Sequence, residues 1–427
     1  MMSGAAGSGL TAKGFIKLDS TKRKQPRDVT SIPVSDFRLI IVTGADASYD
    51  RGDTVHVLKL YEHLRNRRPT TLLHRGIAKV FRGTIATGQE LDSWSNLFKV
   101  LAYHAFLVCW FLAKVSRPCV VYCRDWSVAL AALLVKPFRG FAVVYEVNGM
   151  VCLQMPLVSK KSIAQATSAL QAVVLRRADR IVTVTQRLGE TISKAIARDR
   201  RLISVVPNGA DIGPVSNQDE ARRELRLPPQ SCVIGFVGNL TAWQGVDRLL
   251  HAFQIVLSQQ GEGSLIIVGD GPERMNLEEE AMRLGIRSRV TFTGHVPHHL
   301  ALKYISAFDV GVVPLSNRPL YEHIGRSPLK AYEYMACARP IVAGAFPGLT
   351  EEILEAGCGI IAGEDSPAAL AEAIVKLIRE PLLGEEMGLA GRMYVERGHS
   401  WESVARKVEL VCEQARHYEV SITGEGA

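Results

Sequence analysis

Short apolar runs alternate with helix-like stretches along the first half of the chain. The runs have strand length and are rich in Val and Ile, which is typical of buried strands. They cover residues 37–43, 119–123, 142–147 and 178–185. Residues 53–65 and 186–197 show helical spacing directly after the first and the last of these runs. Strands separated by helices predict a parallel sheet built from crossover units.

The same alternation begins again near Val205. The strand-like runs of this half cover residues 232–238, 263–268, 289–293, 310–314 and 340–344. The helix-like segments cover residues 245–259, 273–284, 299–308, 328–337 and 401–417. We therefore predict two α/β domains, residues 35–207 and 208–400, that meet in a polar stretch. Doubly wound sheets bind ligands at the carboxyl ends of their strands, so a cleft between the domains is the expected site.

Composition agrees with two globular domains. A chain of 427 residues with 47% hydrophobic and 22% charged residues can bury two cores. The eight cysteines form no Cys-x-x-Cys pair or zinc-like cluster, so we expect reduced thiols. Residues 1–34 carry no apolar run and are expected to form a flexible basic tail. A cytoplasmic location follows as an expectation.

Charge is unevenly divided along the chain. Residues 1–200 hold 30 Lys and Arg against 14 Asp and Glu, whereas the remainder holds 21 against 29. A basic first half favours an anionic partner. Since no nucleic-acid-binding module is recognisable, we expect an anionic membrane surface or a lipid-linked substrate, with the protein peripheral on the cytosolic membrane face. An imbalance without functional meaning stays open as the alternative.

Residues 100–113 form an apolar segment that is uncharged apart from His104. The segment is too short to span a bilayer, and Lys99 and Lys114 close its ends. A buried helix is favoured over a partly interfacial one.

Six motifs follow one another in the second part of the chain. They are ADRIVTVT at 178–185, VPNGAD at 206–211, FVGNL at 236–240, VGDGPE at 268–273, FTGHV at 292–296 and SPLKAYEYMA at 327–336. In this order and spacing, the chain resembles the group 1 (family 4) glycosyltransferases of the GT-B fold. The resemblance implies two facing Rossmann-like domains, with a last helix, residues 401–427, that crosses back onto the first domain.

The resemblance also implies a reaction. A hexosyl group would pass from a UDP-sugar or GDP-sugar donor to a lipid-linked or polysaccharide acceptor, with retention at the anomeric carbon. No Asp-x-Asp metal motif occurs, so neither a metal nor another cofactor is expected. Two alternatives remain open: a non-catalytic protein that binds a nucleotide sugar, and a sugar-nucleotide 2-epimerase.

Donor binding is expected at the carboxyl ends of the second sheet's strands. By the resemblance, Glu333 would accept hydrogen bonds from the ribose hydroxyls. Ser327 is predicted to cap the helix that carries it, and Pro328 to occupy the first turn. The other predicted donor-binding residues are Gly52, Gly238, Asn239, Gln244, His295, Val296, Arg326 and Leu329.

Three positions depart from the family pattern. Gly325 stands where many members have a first glutamate, and Asn239 and Gln244 stand where they have Arg and Lys. Two positive charges are thereby missing from the expected diphosphate site. We predict that Lys330 supplies one, with Arg326 or Arg248 as further candidates.

On the acceptor side, the loop at Asp46, Arg51, Gly52 and Asp53 is expected to approach the diphosphate and the acceptor. Asn148 follows a strand where many members have a histidine, and we assign it a positioning role because an amide is no base. Retention needs no strong protein base, since the leaving phosphate can take the acceptor's proton. The predicted catalytic residues are therefore Asn148, Asp53 and Lys330, whereas Arg124 and Asp125 are interpreted as a structural ion pair.

Overall fold

The structure is a computed structural model that describes most of the chain. The described residues are 37–45, 52–75, 93–150, 161–213, 217–227, 232–315 and 319–423. The predicted tail and the loop residues Asp46 and Arg51 lie outside these ranges. The backbone of Gly52 and Asp53 begins a helix, but the side chain of Asp53 is also outside the described set.

The first sheet has six parallel strands. They are β1 (Arg38–Val42), β2 (Thr70–Leu73), β3 (Cys119–Cys123), β4 (Ala142–Val147), β5 (Arg180–Thr183) and β6 (Ile203–Val205). Their spatial order is β2-β1-β3-β4-β5-β6, so the winding direction reverses between β1 and β3. The accompanying helices are α1 (Gly52–Arg65), α2 (Ser93–Lys114), α3 (Trp126–Arg139), α4 (Lys161–Arg177) and α5 (Gln186–Ile196).

The second sheet is also parallel and six-stranded. Its strands are β7 (Val233–Val237), β8 (Ser264–Val268), β9 (Val290–Gly294), β10 (Val310–Val313), β11 (Ile341–Gly344) and β12 (Gly359–Ala362). The order β12-β11-β10-β7-β8-β9 places the reversal between β7 and β10. This is the strand order of a Rossmann sheet, in which ligands bind beside the reversal.

Ten α-helices described after β6 complete the second half of the chain. They are α6 (Gln218–Glu224), α7 (Val246–Gln260), α8 (Arg274–Arg283), α9 (His298–Ala307), α10 (Pro319–Ile324), α11 (Leu329–Ala336), α12 (Leu349–Ala356), α13 (Pro367–Arg379), α14 (Pro381–Gly398) and α15 (Trp401–Thr423). Helices cover both faces of each sheet, which is why strands such as β3 and β4 are buried at every position and mostly apolar.

The last helix, α15, packs on the first sheet. Trp401, Val408 and Cys412 are buried in the cluster that contains Leu39 and Val120. Polar contacts add to this packing, because Arg68 donates to the Glu409 carboxylate over 2.5 Å. Since α14 packs against α11 of the second sheet, α14 and α15 together tie the two sheets to each other.

Helix α2 differs from the favoured expectation of burial. Tyr103, Leu107 and Phe111 are buried, but Leu101 is 60% exposed and Cys109 is also exposed. The helix therefore has one face in the core and one apolar face on the surface. Within the described ranges, no helix combines the length and apolarity that a membrane crossing requires. The described cysteines are all free thiols.

Candidate functional site

The site is built where β7 ends, beside the reversal of the second sheet. Gly238 follows β7 with φ of +148°, a conformation that favours glycine. The chain then passes through Asn239, whose side chain is exposed, and reaches Gly245 at the start of α7. The segment from Gly325 into α11 lies against this loop, as the next contacts show.

Lys330 joins the two segments. Its Nζ donates a hydrogen bond of 2.9 Å to Oε1 of Gln244 and lies 3.8 Å from the centre of the Phe236 ring. A Cβ atom at Gly238 would stand only 2.8 Å from this Nζ. Burial lowers the pKa of Lys330 well below its ordinary value, and the charge of Arg326 adds to the effect. The ammonium thus lies directly beside the glycine loop.

The other two candidate cations differ in position. The guanidinium of Arg326 stacks over Trp243, 4.3 Å from the ring centre, and so also borders the loop. Arg248 binds the carbonyl of Pro314 and forms an ion pair with Asp365. Because its charge is already paired, Arg248 is a poorer candidate for a diphosphate ligand than Lys330.

Glu333 is held by a histidine that the sequence did not single out. His298 Nε2 lies 2.8 Å from Oε1 of Glu333, which is only 9% exposed. The predicted nucleobase-side residues lie nearby in the chain: His295 is exposed and Val296 is partly buried. His298 begins α9, three residues after His295. Histidines occupy both positions 298 and 299, and nothing in the sequence indicates which of the two contacts Glu333.

Gly325 has a structural reason to be a glycine. Its φ is +63°, and a Cβ atom would lie 3.2 Å from the carbonyl oxygen of Pro347 and 3.3 Å from the hydroxyl of Thr185. Thr185 follows β5 of the first sheet and donates to the carbonyl of Ile324. The place of the family's first glutamate is therefore occupied by a contact between the two halves of the chain.

The helix start after Gly325 corrects two predictions. Pro328, not Ser327, is the N-cap of α11, so Pro328 precedes the first turn instead of lying in it, and no side chain caps the helix. Ser327 instead pairs with the Tyr332 hydroxyl at 2.9 Å, because it lies one residue too early to reach the first helical amides. Leu329, the first helical residue, packs against the buried cluster of the first sheet. The first amides of α11 thus remain without a side-chain cap.

A buried polar chain connects this segment to the first sheet. The Asn208 amide donates to the Ser327 carbonyl over 2.5 Å, and Asn208 Oδ1 lies 2.7 Å from His56 Nδ1. The other His56 nitrogen is 3.3 Å from Glu146, which also accepts from Arg124 at 3.1 Å. Burial alone would raise the pKa of Glu146, but His56 and Arg124 hold that pKa below its usual range.

The predicted acceptor-side residues are less closely connected. Asn148 is exposed just beyond β4, and among the described residues no hydrogen bond links it to Lys330 or Glu333. The proposed ion pair between Arg124 and Asp125 is wrong. Arg124 binds Glu146, whereas Asp125 accepts from the Gly44 amide at 2.6 Å. Arg124 and Asp125 lie in the bend that follows β3, and their side chains contact different neighbours.

Comparison with known proteins agrees with this architecture. The model for glycosyl transferases group 1 matches residues 217–394, and the model for glycosyltransferase family 4 matches residues 50–213. Together they cover the second sheet and all strands of the first sheet except β1. The chain belongs to the group 1, family 4 glycosyltransferases, and it is an enzyme that uses a nucleotide-sugar donor.

Among its relatives is D-inositol 3-phosphate glycosyltransferase of Segniliparus rotundus, 26% identical over 91% of this chain and 92% of the relative. Sucrose-phosphate synthase from Thermosynechococcus elongatus shares the fold with a TM-score of 0.73 and 21% identity, over 88% of this chain and 98% of the other. HepE of Anabaena, solved with UDP, has a TM-score of 0.66 and 18% identity over 87% and 98%. The fold is that of GT-B glycosyltransferases.

Proposed function

We propose that the enzyme transfers a hexosyl group from a UDP-sugar or GDP-sugar to a lipid-linked or polysaccharide acceptor, with retention and without a metal ion. The observation that carries this proposal is the position of Lys330 Nζ between Gly238 and Gln244, beside the reversal of the second sheet. A buried cation next to a glycine loop is suited to a diphosphate, because both the backbone amides and the ammonium can donate to its oxygens.

In the proposed donor site, different residues bind the diphosphate and the ribose of the nucleotide. Lys330 and Arg326 would stabilise the charge that develops on the diphosphate as the bond to the sugar breaks. Glu333, held by His298 at 2.8 Å, would accept from the ribose hydroxyls. HepE was solved with UDP, which makes UDP the first nucleotide to test.

The proposed chemistry needs no strong protein base. The acceptor oxygen bonds to the anomeric carbon as the bond from that carbon to the diphosphate oxygen breaks. The acceptor's proton passes to the departing phosphate, so the atoms and charges balance. Asn148 would orient the acceptor through its amide, and Asp53 is the further acceptor-side candidate.

Of the two proposed acceptors, the lipid-linked one is favoured, in an anionic form. Support comes from the positive first half of the chain and from the apolar outer face of α2, where Leu101 is 60% exposed. A relative named D-inositol 3-phosphate glycosyltransferase adds support for a phosphorylated acceptor. Peripheral attachment to an anionic membrane and a role in polysaccharide biosynthesis belong to the same proposal, as do the domain limits at residues 207 and 400.

A specific observation favours a second candidate function. Asn239 and Gln244 are neutral, and a side chain at position 325 would be strained by the φ of +63° and crowded by the Pro347 carbonyl. A protein that binds a nucleotide sugar without transferring it would fit these changes.

Product stereochemistry tests the proposal. We would supply a UDP-sugar or GDP-sugar of known anomeric configuration with membrane extract, and assign the anomeric configuration of the product by NMR. The same configuration in donor and product is expected, with activity unaffected by a chelator. An inverted product would refute retention, and binding without turnover would favour the non-catalytic function.

A further inference from the structure

A surface groove runs between α2 and α3 of the first half. Ala105, Val108 and Cys109 line one side, and Leu130, Ala131 and Leu134 line the other. Its lining is almost entirely apolar, and its volume of about 400 Å³ lies within the roughly 300–1,000 Å³ of small-ligand pockets. We refer to it as the α2–α3 groove.

A second cavity, of about 190 Å³, opens at the end of β1. It is lined by Gly44, Arg75, Tyr103 and Asp125, among others. Because β1 and β3 flank the reversal of the first sheet, this switch-point cavity lies where a doubly wound sheet is expected to bind a ligand. The donor-site contacts described above do not involve these residues.

The two cavities adjoin each other. His104 and Ser127 line both of them, so the apolar groove lies directly beside the polar cavity. His104 marks the junction: its Nδ1 lies 2.7 Å from the carbonyl of Val100 and must donate to it. Its Nε2 is buried and has no hydrogen-bond partner among the described residues.

The shape and charge of the α2–α3 groove and the switch-point cavity indicate the kind of ligand that would fit them. An apolar groove with a polar end fits an amphiphile, that is, one hydrocarbon chain with a polar head. Arg75 brings positive charge to the polar end, while the Asp125 carboxylate is engaged by the Gly44 amide at 2.6 Å and by the Thr43 hydroxyl at 3.1 Å. Among the described residues Arg75 has no ion-pair partner, so its cation is the group open to an anionic head.

We propose that the α2–α3 groove binds the hydrocarbon chain of an anionic lipid acceptor, whose phosphate-bearing head enters the switch-point cavity. The inference rests on the proposed lipid-linked acceptor and specifies where that lipid lies. The chain is held by the groove, and Arg75 and His104 bind the head.

Cys109 provides a native reporter for the groove. Its thiol is exposed and lines the groove, whereas Cys119, Cys123 and Cys412 are buried. We would measure the alkylation rate of Cys109 with N-ethylmaleimide by peptide mass spectrometry, with decyl phosphate as the probe ligand. At about ten times its dissociation constant, decyl phosphate should slow alkylation about tenfold. Inorganic phosphate should give no protection, and decyl maltoside should protect less.

Matched variants locate the effect. Ala105→Trp fills the groove, whereas Ala113→Trp makes the same change on an exposed position of α2 that does not line it. Protection by decyl phosphate should be lost in the first variant and kept in the second. Leu134→Gln, at a position that is 61% exposed, should weaken protection without filling the groove, and Arg75→Gln should weaken protection by the phosphate but not by the maltoside.

Three outcomes would overturn the proposal. Equal protection in the Ala105→Trp and Ala113→Trp proteins would show that the ligand binds elsewhere. Equal protection by decyl phosphate and decyl maltoside would show that the site does not select an anionic head. Protection by vesicles of anionic phospholipid, but not by dissolved decyl phosphate, would make this face a membrane contact instead. Nucleotide binding, measured on the same samples, separates failure of this inference from failure of the proposed glycosyl transfer.

Discussion

The Lys330 ammonium and the Gln244 side-chain oxygen are 2.9 Å apart, and this hydrogen bond joins α11 to the loop after β7. Gln244 stands where many family members have a lysine. The cation is thus not lost from the site but enters it from α11. The Gln244 side chain, being neutral, accepts from that cation instead of repelling it.

Removing the charge of Lys330 should weaken binding of the diphosphate. Lys330→Met keeps much of the side chain over Phe236 but cannot donate, so UDP or GDP affinity should fall about 10-fold to 100-fold, as expected for hydrogen bonds to a charged group. UMP or GMP, which lacks the second phosphate, should be affected less. Isothermal titration calorimetry measures both. Lys303→Met, which removes a surface lysine paired with Glu224, is the matched control and should change neither affinity.

Nucleotide affinity should fall as pH rises. Burial lowers the pKa of Lys330 below the 10.5 of an ordinary lysine, and only the protonated amine carries the positive charge. Raising the pH through that lowered pKa removes the charge, so diphosphate affinity decreases in a range where an exposed lysine would remain protonated. Titrations of UDP or GDP at increasing pH measure the effect. The decrease should be absent in Lys330→Arg, and a decrease of the same size in that variant would assign it to another group.

Gly238 should matter for binding as well as for backbone conformation. Gly238→Ala places a methyl group 2.8 Å from Lys330 Nζ and strains a backbone with φ of +148°. Nucleotide affinity should therefore fall together with the free energy of unfolding. Gly261→Ala is the control, since Gly261 also has positive φ, of +73°, but its Cβ would meet no neighbour within 4 Å. That variant should cost about 1 kcal/mol of unfolding free energy and leave nucleotide affinity unchanged.

Glu333 and His298 should have separable effects. Glu333→Gln removes the carboxylate proposed to bind the ribose, so affinity should fall about tenfold or more for the nucleotide. His298→Gln leaves that carboxylate in place and should weaken binding less. Comparison of a ribonucleotide with its 2′-deoxy analogue measures the difference. The preference for the ribonucleotide should shrink in Glu333→Gln, and an unchanged preference would show that Glu333 does not bind the ribose.

The regular part of the fold could be predicted from the sequence. The predicted bounds of β3 and β4 match the observed strands, because these central strands are buried at every position and consist mostly of apolar residues. β2, β6 and β12 were not predicted. All three lie at sheet edges and are only partly buried, so their sequences lack the long apolar run of a central strand.

The environment of α2 could not be predicted in the same way. Residues 100–113 are apolar on all sides, so their periodicity could not distinguish a fully buried helix from one with an exposed apolar face. Leu107 is fully buried and Leu101 is 60% exposed, although both are leucines on the same helix.

The candidate site was predictable as motifs but not as contacts. The segment with Lys330 and Glu333 was recognisable, yet the partners Gln244 and His298 are distant in sequence and come close only through the sheet topology. The presence of glycine at position 325 could likewise be explained only from the structure, in which a Cβ atom there would contact Thr185 of the first half of the chain. Residue type alone contains no information about such long-range pairs.

The proposed donor site and its chemistry can be tested with the purified protein. We would measure thermal stabilisation by UDP, GDP, ADP and their common sugar conjugates, and then assay the best ligand for hydrolysis. We expect stabilisation by one uridine or guanosine nucleotide, slow hydrolysis of its sugar conjugate, and loss of both in Glu333→Ala. Absence of stabilisation by every nucleotide would contradict the proposed donor site, while the GT-B fold would stand.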